Sequence, residues 1–388
     1  MFSSRTQWDL AANRLARLLG EKRSRGETVL DLTESNPTRV GLPVPSNLLE
    51  PLAQPAALRY EPAPFGLHAA CAAVAADFAR RGLALDASQI LLTASTSEAY
   101  AFLFKLLCDP GDEVLVPVPG YPLFEFLARL ESVRVRAYAS AWDGEWHVDL
   151  PALRSAVSPR TRALVVIHPN NPTGAFLKGA ELEALEELCA ARGIALISDE
   201  VFADYAFRAE PRRAASVARD GPALAFALGG LSKSCGLPQL KLAWIAVNGP
   251  ERLRREALAR LEVVADTYLS VSTPVQVAAA GLLARREELQ GPIRTRVGGN
   301  LDLLKARLGA GSPATLLEPE GGWNAVLRVP ATVSEEERVT RLLEQRTVLV
   351  HPGYFFDFPS EAFLVLSLLP PPGVFAEGLD RLLTDVER

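Results

Sequence analysis

Apolar positions along the chain follow two rhythms. Ile90–Leu92, Glu113–Val116, Ala163–Ile167, Ile194–Ser198 and Ala223–Leu228 are short runs dense in aliphatic residues, the pattern of strands buried on both faces. Between them lie longer stretches with helical spacing, from about Glu98 to Leu107 and, more acidic, from Glu181 to Ala191. Turn chemistry punctuates the two: Asp109-Pro110-Gly111-Asp112 precedes one strand, and the Asn/Pro/Gly-rich segment His168–Gly174 follows another. Strands alternating with helices predict α/β layers around a mainly parallel central sheet.

After about residue 285 the pattern changes. A long charged helix leads into strand-like runs at Ala325–Val329 and Phe363–Leu368, with Gly/Pro-rich joints between. We therefore expect a large domain over residues 46–285. A smaller α+β domain is expected from residues 1–45 together with 286–388. The length of 388 residues suits about two domains of ~100–200 residues each. The first twenty residues show no long apolar core before a small-residue cleavage site, and read as an amphipathic helix. There is no internal repeat.

Composition narrows the class. Apolar residues make up 48% and charged residues 22%, ordinary for a globular enzyme with a substantial core. The net charge of −5 gives no general attraction to nucleic acid or anionic lipid, and no apolar run reaches the ~18–20 residues of a membrane span. Cys71, Cys108, Cys189 and Cys235 are scattered, without zinc spacing, so no metal site is expected. They read as reduced thiols of a cytoplasmic protein; Cys235 reads as a small buried apolar residue.

Ligands of such sheets sit beyond the carboxyl ends of the strands, and four polar or glycine-rich clusters fall there: Thr93–Ser97, His168–Gly174, Asp199–Phe202 and Gly229–Ser234. Lys233 follows a buried strand, where partial desolvation lowers an amine's pKa and favours its nucleophilic form. A solvated strand-end lysine is the plainer alternative. Asp199 ends an apolar strand, where a charge needs a partner; a pyridinium nitrogen is such a partner, and so is a helix N-terminus. Asn171 sits in a rigid Asn-Pro-Thr-Gly loop. Ser95, Thr96 and Ser97 precede a helix, a position suited to a phosphate or to simple capping.

Taken together, these segments resemble the class I/II aminotransferases of the aspartate aminotransferase-like fold. The pieces are YEPAPFG with Tyr60, TASTSEA at Thr93–Ala99, DPGDEVLVPVPGYP at Asp109–Pro122, HPNNPTG at His168–Gly174, SDEVFADY at Ser198–Tyr205 and LSKSCGLPQLK at Leu231–Lys241. They occur in the family's order over nearly the whole chain. The resemblance implies a pyridoxal 5'-phosphate (PLP) enzyme that moves an amino group between an amino acid or amine and a 2-oxo acid.

By that resemblance Lys233 carries the cofactor as a Schiff base and acts as general base and acid. Asp199 pairs with the pyridine nitrogen, Asn171 bonds the phenolic oxygen and helps hold substrate, and Tyr121 stacks on the ring. Ser95, Thr96 and Ser97 cradle the phosphate, helped by Ser232 and by Lys241, which stands where the family has an arginine. Tyr60 matches a tyrosine that reaches the phosphate across a homodimer interface.

Three positions depart from the family pattern. Phe202 replaces a tyrosine whose hydroxyl bonds the phenolic oxygen. Gly230 replaces a serine, a loss that Ser232 or Ser234 is placed to cover. Val365 stands where an arginine pairs with the substrate carboxylate, so either another cation substitutes or the substrate lacks that carboxylate. Arg39, in TESNPTRVGLP, is the candidate substitute. His351 falls in a segment resembling the small-domain pocket wall; Trp323, after Gly321-Gly322, is a candidate for the same pocket, with a core tryptophan the plainer alternative, while His168 reads as a strand-end residue. Because the same cofactor chemistry breaks other bonds, a β-eliminating C–S lyase, racemase or decarboxylase is the alternative, and a non-catalytic sensor of the same fold a further one.

Overall fold

The computed structural model describes residues 1–309 and 311–387. Its central sheet has eight strands. In spatial order these are Ile90–Thr93, Ala243–Asn248, Ala225–Gly230, Ala195–Asp199, Thr161–Ile167, Glu113–Val118, Arg134–Trp142 and Trp146–Val148. The five from Ala225–Gly230 to Arg134–Trp142 run parallel. Ala243–Asn248 is antiparallel to both its neighbours, and Trp146–Val148 is antiparallel to Arg134–Trp142. The sheet is thus mainly parallel, as the alternation of strands and helices predicts.

Successive side chains of each strand point to opposite faces, and both faces are covered. Leu115, Leu164, Leu196, Ala227 and Trp244 pack beneath the helices His68–Arg80, Gly179–Arg192 and Thr273–Ala284. Val116, Val165, Ile197, Phe226 and Ile245 pack beneath Thr96–Leu107 and Glu251–Tyr268. Each such Leu, Val, Ile or Phe side chain, buried fully, stabilises the fold by about 1.5–3 kcal/mol. This rigid sheet sets the strand ends that carry the site.

A second, antiparallel sheet orders Thr315–Leu317, Asn324–Arg328, Phe363–Ser367 and His351–Pro352. The helices Arg286–Arg307, Glu335–Arg346 and Pro372–Val386 contribute to its core. Leu30–Asp31 pairs in parallel with Val348–Leu349 and so ties the N-terminal arm to this layer. No helix among the described residues is long and apolar enough to cross a membrane.

Two local expectations are corrected. The first twenty residues do not form one helix: a short 3-10 turn at Ser4–Thr6 is followed by irregular chain, and the helix runs from Arg14 to Ser24. Asn13 sets the start, its side chain accepting from the Ala16 N–H. The strand expected to stop at Leu228 continues through Gly230 and feeds directly into the short helix Leu231–Ser234. Both glycines face crowded neighbours. A Cβ at Gly229 would lie 2.5 Å from the Trp244 indole, and one at Gly230 would lie 2.9 Å from the Ala243 Cβ. A serine at 230 therefore has no room.

Candidate active site

A cavity of about 390 Å³ opens at the carboxyl ends of the parallel strands, lined from both sheets. The large sheet supplies Asp199, Asn171 and Lys233 from the ends of, or just beyond, three adjacent strands. Thr96 and Ser97 come from the start of the helix Thr96–Leu107, and Tyr121 from the loop after Glu113–Val118. Trp323, Asn324 and His351 come from the small antiparallel layer.

Lys233 stands with its Nζ 4.9 Å from the Trp323 ring centre and 5.4 Å from that of Phe202. Burial lowers its pKa to about 8, against the pull of the nearby Asp199 carboxylate. Desolvation penalises the ammonium, and the aromatic faces restore only part of the lost hydration. The backbone beneath it is fixed: the Tyr205 hydroxyl donates to the Lys233 carbonyl at 2.6 Å. Tyr205, Phe202 and Trp323 meet edge to face, contacts worth about 0.5–1.5 kcal/mol each beyond their burial.

The loop from Asp199 to Tyr205 is tied down at several points. The Glu200 carboxylate accepts from Ser216 Oγ, the Val217 N–H and Arg81, and Asp204 pairs with Arg80 and Arg286. Asp199 accepts from the Val201 N–H at 3.2 Å and from the Tyr100 hydroxyl at 3.3 Å. Burial nevertheless raises its pKa to about 6, with those two hydrogen bonds opposing the rise. The two donors and the nearby Lys233 amine only partly offset the burial of this carboxylate, so a cation placed beside it in the cavity would be favoured.

Asn171 Oδ1 accepts from Asn324 Nδ2 at 2.7 Å. Its neighbour Asn170 is consumed within the loop, accepting from the Thr173 N–H and hydroxyl. Ser95 is the helix cap: its hydroxyl accepts from the Glu98 N–H, and it does not itself line the cavity. That leaves the first-turn N–H groups of Thr96 and Ser97 beside the cavity, the arrangement that binds anions at a helix N-terminus.

Several residues singled out in the sequence are not brought to the cavity wall. Ser232, Lys241, Tyr60 and Arg39 do not line it. Ser234 does not cover for the missing serine, because its hydroxyl donates to the Gly230 carbonyl. Lys241 is exposed, in a left-handed backbone conformation. Tyr60 is 74% exposed. The side chain of Arg39 is 72% exposed and reaches only Glu34, at 3.8 Å. Arg39 thus lies off the cavity wall in this chain, next to a turn in which the Asn36 side chain accepts from the Thr38 N–H and hydroxyl. His168 is a buried structural residue; its Nδ1 accepts from the Leu177 N–H, its Nε2 contacts the Ala214 carbonyl, and burial lowers its pKa to about 4.

Sequence reasoning missed Tyr100, Asn324 and Ser35 as parts of the site. Tyr100 had a usable signal, since it follows Thr96 by one helical turn and must share its face. Asn324 had none, because its role depends on how the two sheets meet.

The donor set fits a PLP group. A buried carboxylate with a raised pKa, an amine held partly neutral, an amide, first-turn helix N–H groups and an exposed aromatic at Tyr121 surround one cavity of suitable size. The state of the lysine can be read directly in the protein freed of cofactor. Only a neutral amine reacts with an acylating reagent, and the neutral fraction of Lys233 rises as pH passes its pKa. Acylation of Lys233, followed by peptide mass spectrometry, should be half-maximal at about pH 8. A midpoint near the ordinary lysine value of ~10.4 would contradict its desolvation.

The aminotransferase class I and II family profile matches residues 29–374. The alanine aminotransferase of Mycobacterium tuberculosis is 28% identical over 371 residues, covering 92% of this chain and 86% of that protein. The glutamate-pyruvate aminotransferase of Haemophilus influenzae is 26% identical over 373 residues, covering 92% and 90%. Among solved structures, the alanine aminotransferase of Pyrococcus furiosus superposes with a TM-score of 0.89 at 25% identity, each chain covered in full.

Proposed function

The chain belongs to the class I and II aminotransferase family, and on that footing we propose how its residues divide the work of a PLP-dependent amino-group transfer. The observation that carries this reading is the convergence of Lys233, Asp199 and Asn171 on one cavity. When bound, PLP supplies an electron sink that makes the donor's Cα proton removable.

The rest falls to the protein. The phosphate would be held by the N–H groups of Thr96 and Ser97, with Lys241, off the cavity wall, adding only longer-range positive charge. Asp199 would keep the ring nitrogen protonated, its own carboxylate held by Val201 and Tyr100. Asn171 would offer its amide N–H to the phenolic oxygen, and Phe202 brings no hydroxyl there, so that oxygen would have one fewer partner than the family pattern provides. Tyr121 would lie against the ring. Lys233 Nζ would take the proton from the donor Cα and return it to the carbon on the far side of the amino nitrogen, and an amine with a pKa near 8 suits both directions. Phe202, Trp323, Phe355 and Phe356 keep water from the reacting carbon.

The donor is an amino acid with an apolar side chain, matching the aromatic wall, and the acceptor a 2-oxo acid. Tyr60, exposed on one subunit, completes the phosphate site of a second in a homodimer. The large domain spans residues 46–285, and residues 1–45 with 286–388 form the small one. Steady-state kinetics test the reaction. Donor and acceptor varied together should give parallel double-reciprocal lines, the signature of an enzyme that releases one product before binding the second substrate. Sustained release of ammonia from the donor with no acceptor present would overturn it in favour of elimination.

A further inference from the structure

The cavity wall contains groups that proton transfer leaves unused: Asn324, His351 and Ser35. His351 sits on the short strand His351–Pro352, and its direct register partner is Val365 on Phe363–Ser367. Directly opposed residues of an antiparallel pair present their side chains on one face, Cβ atoms about 4.5–5.5 Å apart. Val365 is fully buried, packs with Val326 and Phe356, and does not reach the cavity; His351 does. The imidazole leans against Phe355 and Phe356, with ring centres 5.8 and 5.7 Å away.

No hydrogen bond engages either ring nitrogen of His351 among the described residues. Burial lowers its pKa, opposed by Asp31 from the neighbouring strand Leu30–Asp31. Asp31 itself is occupied, accepting from the Thr33 N–H and hydroxyl. On the same cavity wall, the Asn324–Asn171 hydrogen bond uses the Asn171 oxygen, so what Asn171 offers the cavity is N–H. Among the described lining residues Lys233 is the only lysine or arginine. A carboxylate entering here finds donors rather than a guanidinium: the Asn171 amide, the His351 ring N–H and the Ser35 hydroxyl.

We propose that His351, with the Asn171–Asn324 amide pair, is the subsite that holds the carboxylate of the amino donor through hydrogen bonds from uncharged donors. The inference rests on the transaminase reading of the cavity. It makes His351 a specificity-determining residue, and it makes the enzyme selective for monocarboxylic donors.

The test uses holoenzyme, as wild type, His351→Leu and His351→Gln. L-Alanine is compared with ethylamine, and L-phenylalanine with 2-phenylethylamine, in single turnovers followed by visible absorbance. Calorimetry gives the Kd of 3-phenylpropanoate, which has the carboxylate but no amine. His351→Leu should raise the half-saturating concentration of the amino acids and the Kd of 3-phenylpropanoate roughly tenfold or more, the worth of one hydrogen bond to a charged group. Maximal rates and the values for the amines should hold, and His351→Gln, which keeps a donor, should restore most of the loss. An equal loss for amines and amino acids, a fall in maximal rate alone, or a wild type that prefers the amines would overturn the proposal. If no donor reacts with wild type, the transaminase reading fails, and the 3-phenylpropanoate comparison still decides whether His351 binds a carboxylate.

Discussion

Lys233→Ala is expected to lower the rate of amino-group transfer by about a thousandfold or more. A positioned general acid–base contributes roughly 10²–10⁴ in rate, and this lysine is also the residue that anchors the cofactor in the proposed scheme. Its replacement leaves the scaffold intact. Among the described residues the Nζ makes no ion pair within 4 Å and lies over the Phe202 and Trp323 rings, while the backbone beneath it is held by Tyr205 whatever the side chain. The thermal midpoint should therefore stay within a few degrees of wild type. Methylamine added to the variant should recover part of the activity, because it supplies the missing base to a cavity with room for it. Rates are measured with saturating donor and acceptor. A Lys233→Ala protein cycling at the wild-type rate would remove this residue from the mechanism.

Asp199→Asn is expected to cost roughly 10²–10³ in the same assay. The substitution preserves size and leaves an oxygen to accept from Val201 and Tyr100, but it removes the charge that holds the ring nitrogen protonated. The native carboxylate suits that role because burial has raised its pKa to about 6, so a cation beside it is strongly favoured. Tyr100→Phe provides the graded comparison. It removes one of the two hydrogen bonds to Asp199 and nothing else in the site. A hydrogen bond to a charged group is worth about 1.5–3 kcal/mol, which sets a ceiling of roughly 10–100-fold. The expected order of loss is Lys233→Ala, then Asp199→Asn, then Tyr100→Phe. An Asp199→Asn enzyme as fast as Tyr100→Phe would contradict the charge-based role.

Much of this was legible in the sequence because buried parallel strands write an unmistakable apolar run, and because chemistry-bearing residues collect where those runs stop. Lys233, Asp199 and Asn171 each follow such a run, and the strand order Ala225–Gly230, Ala195–Asp199, Thr161–Ile167 sets them side by side. Direction was less legible: Ala243–Asn248 is as apolar as its neighbours yet runs antiparallel, since a strand buried on both faces carries the same residues either way. The neighbours of Gly229 and Gly230 were likewise hidden, because the clash that excludes larger residues comes from Ala243 and Trp244 on the next strand. Arg39 stood out by charge alone, and its largely exposed side chain, off the cavity wall, is not encoded in any local pattern. His351 acquires its place beside Val365 through register, which no local pattern encodes.

The most direct test of the central claim is a single turnover of the holoenzyme with an amino donor and no acceptor. The account predicts one equivalent of 2-oxo product per active site, no free ammonia, and a change in visible absorbance that a 2-oxo acid then reverses. Free ammonia released along with the 2-oxo product, or absorbance that no amino acid alters, would contradict it.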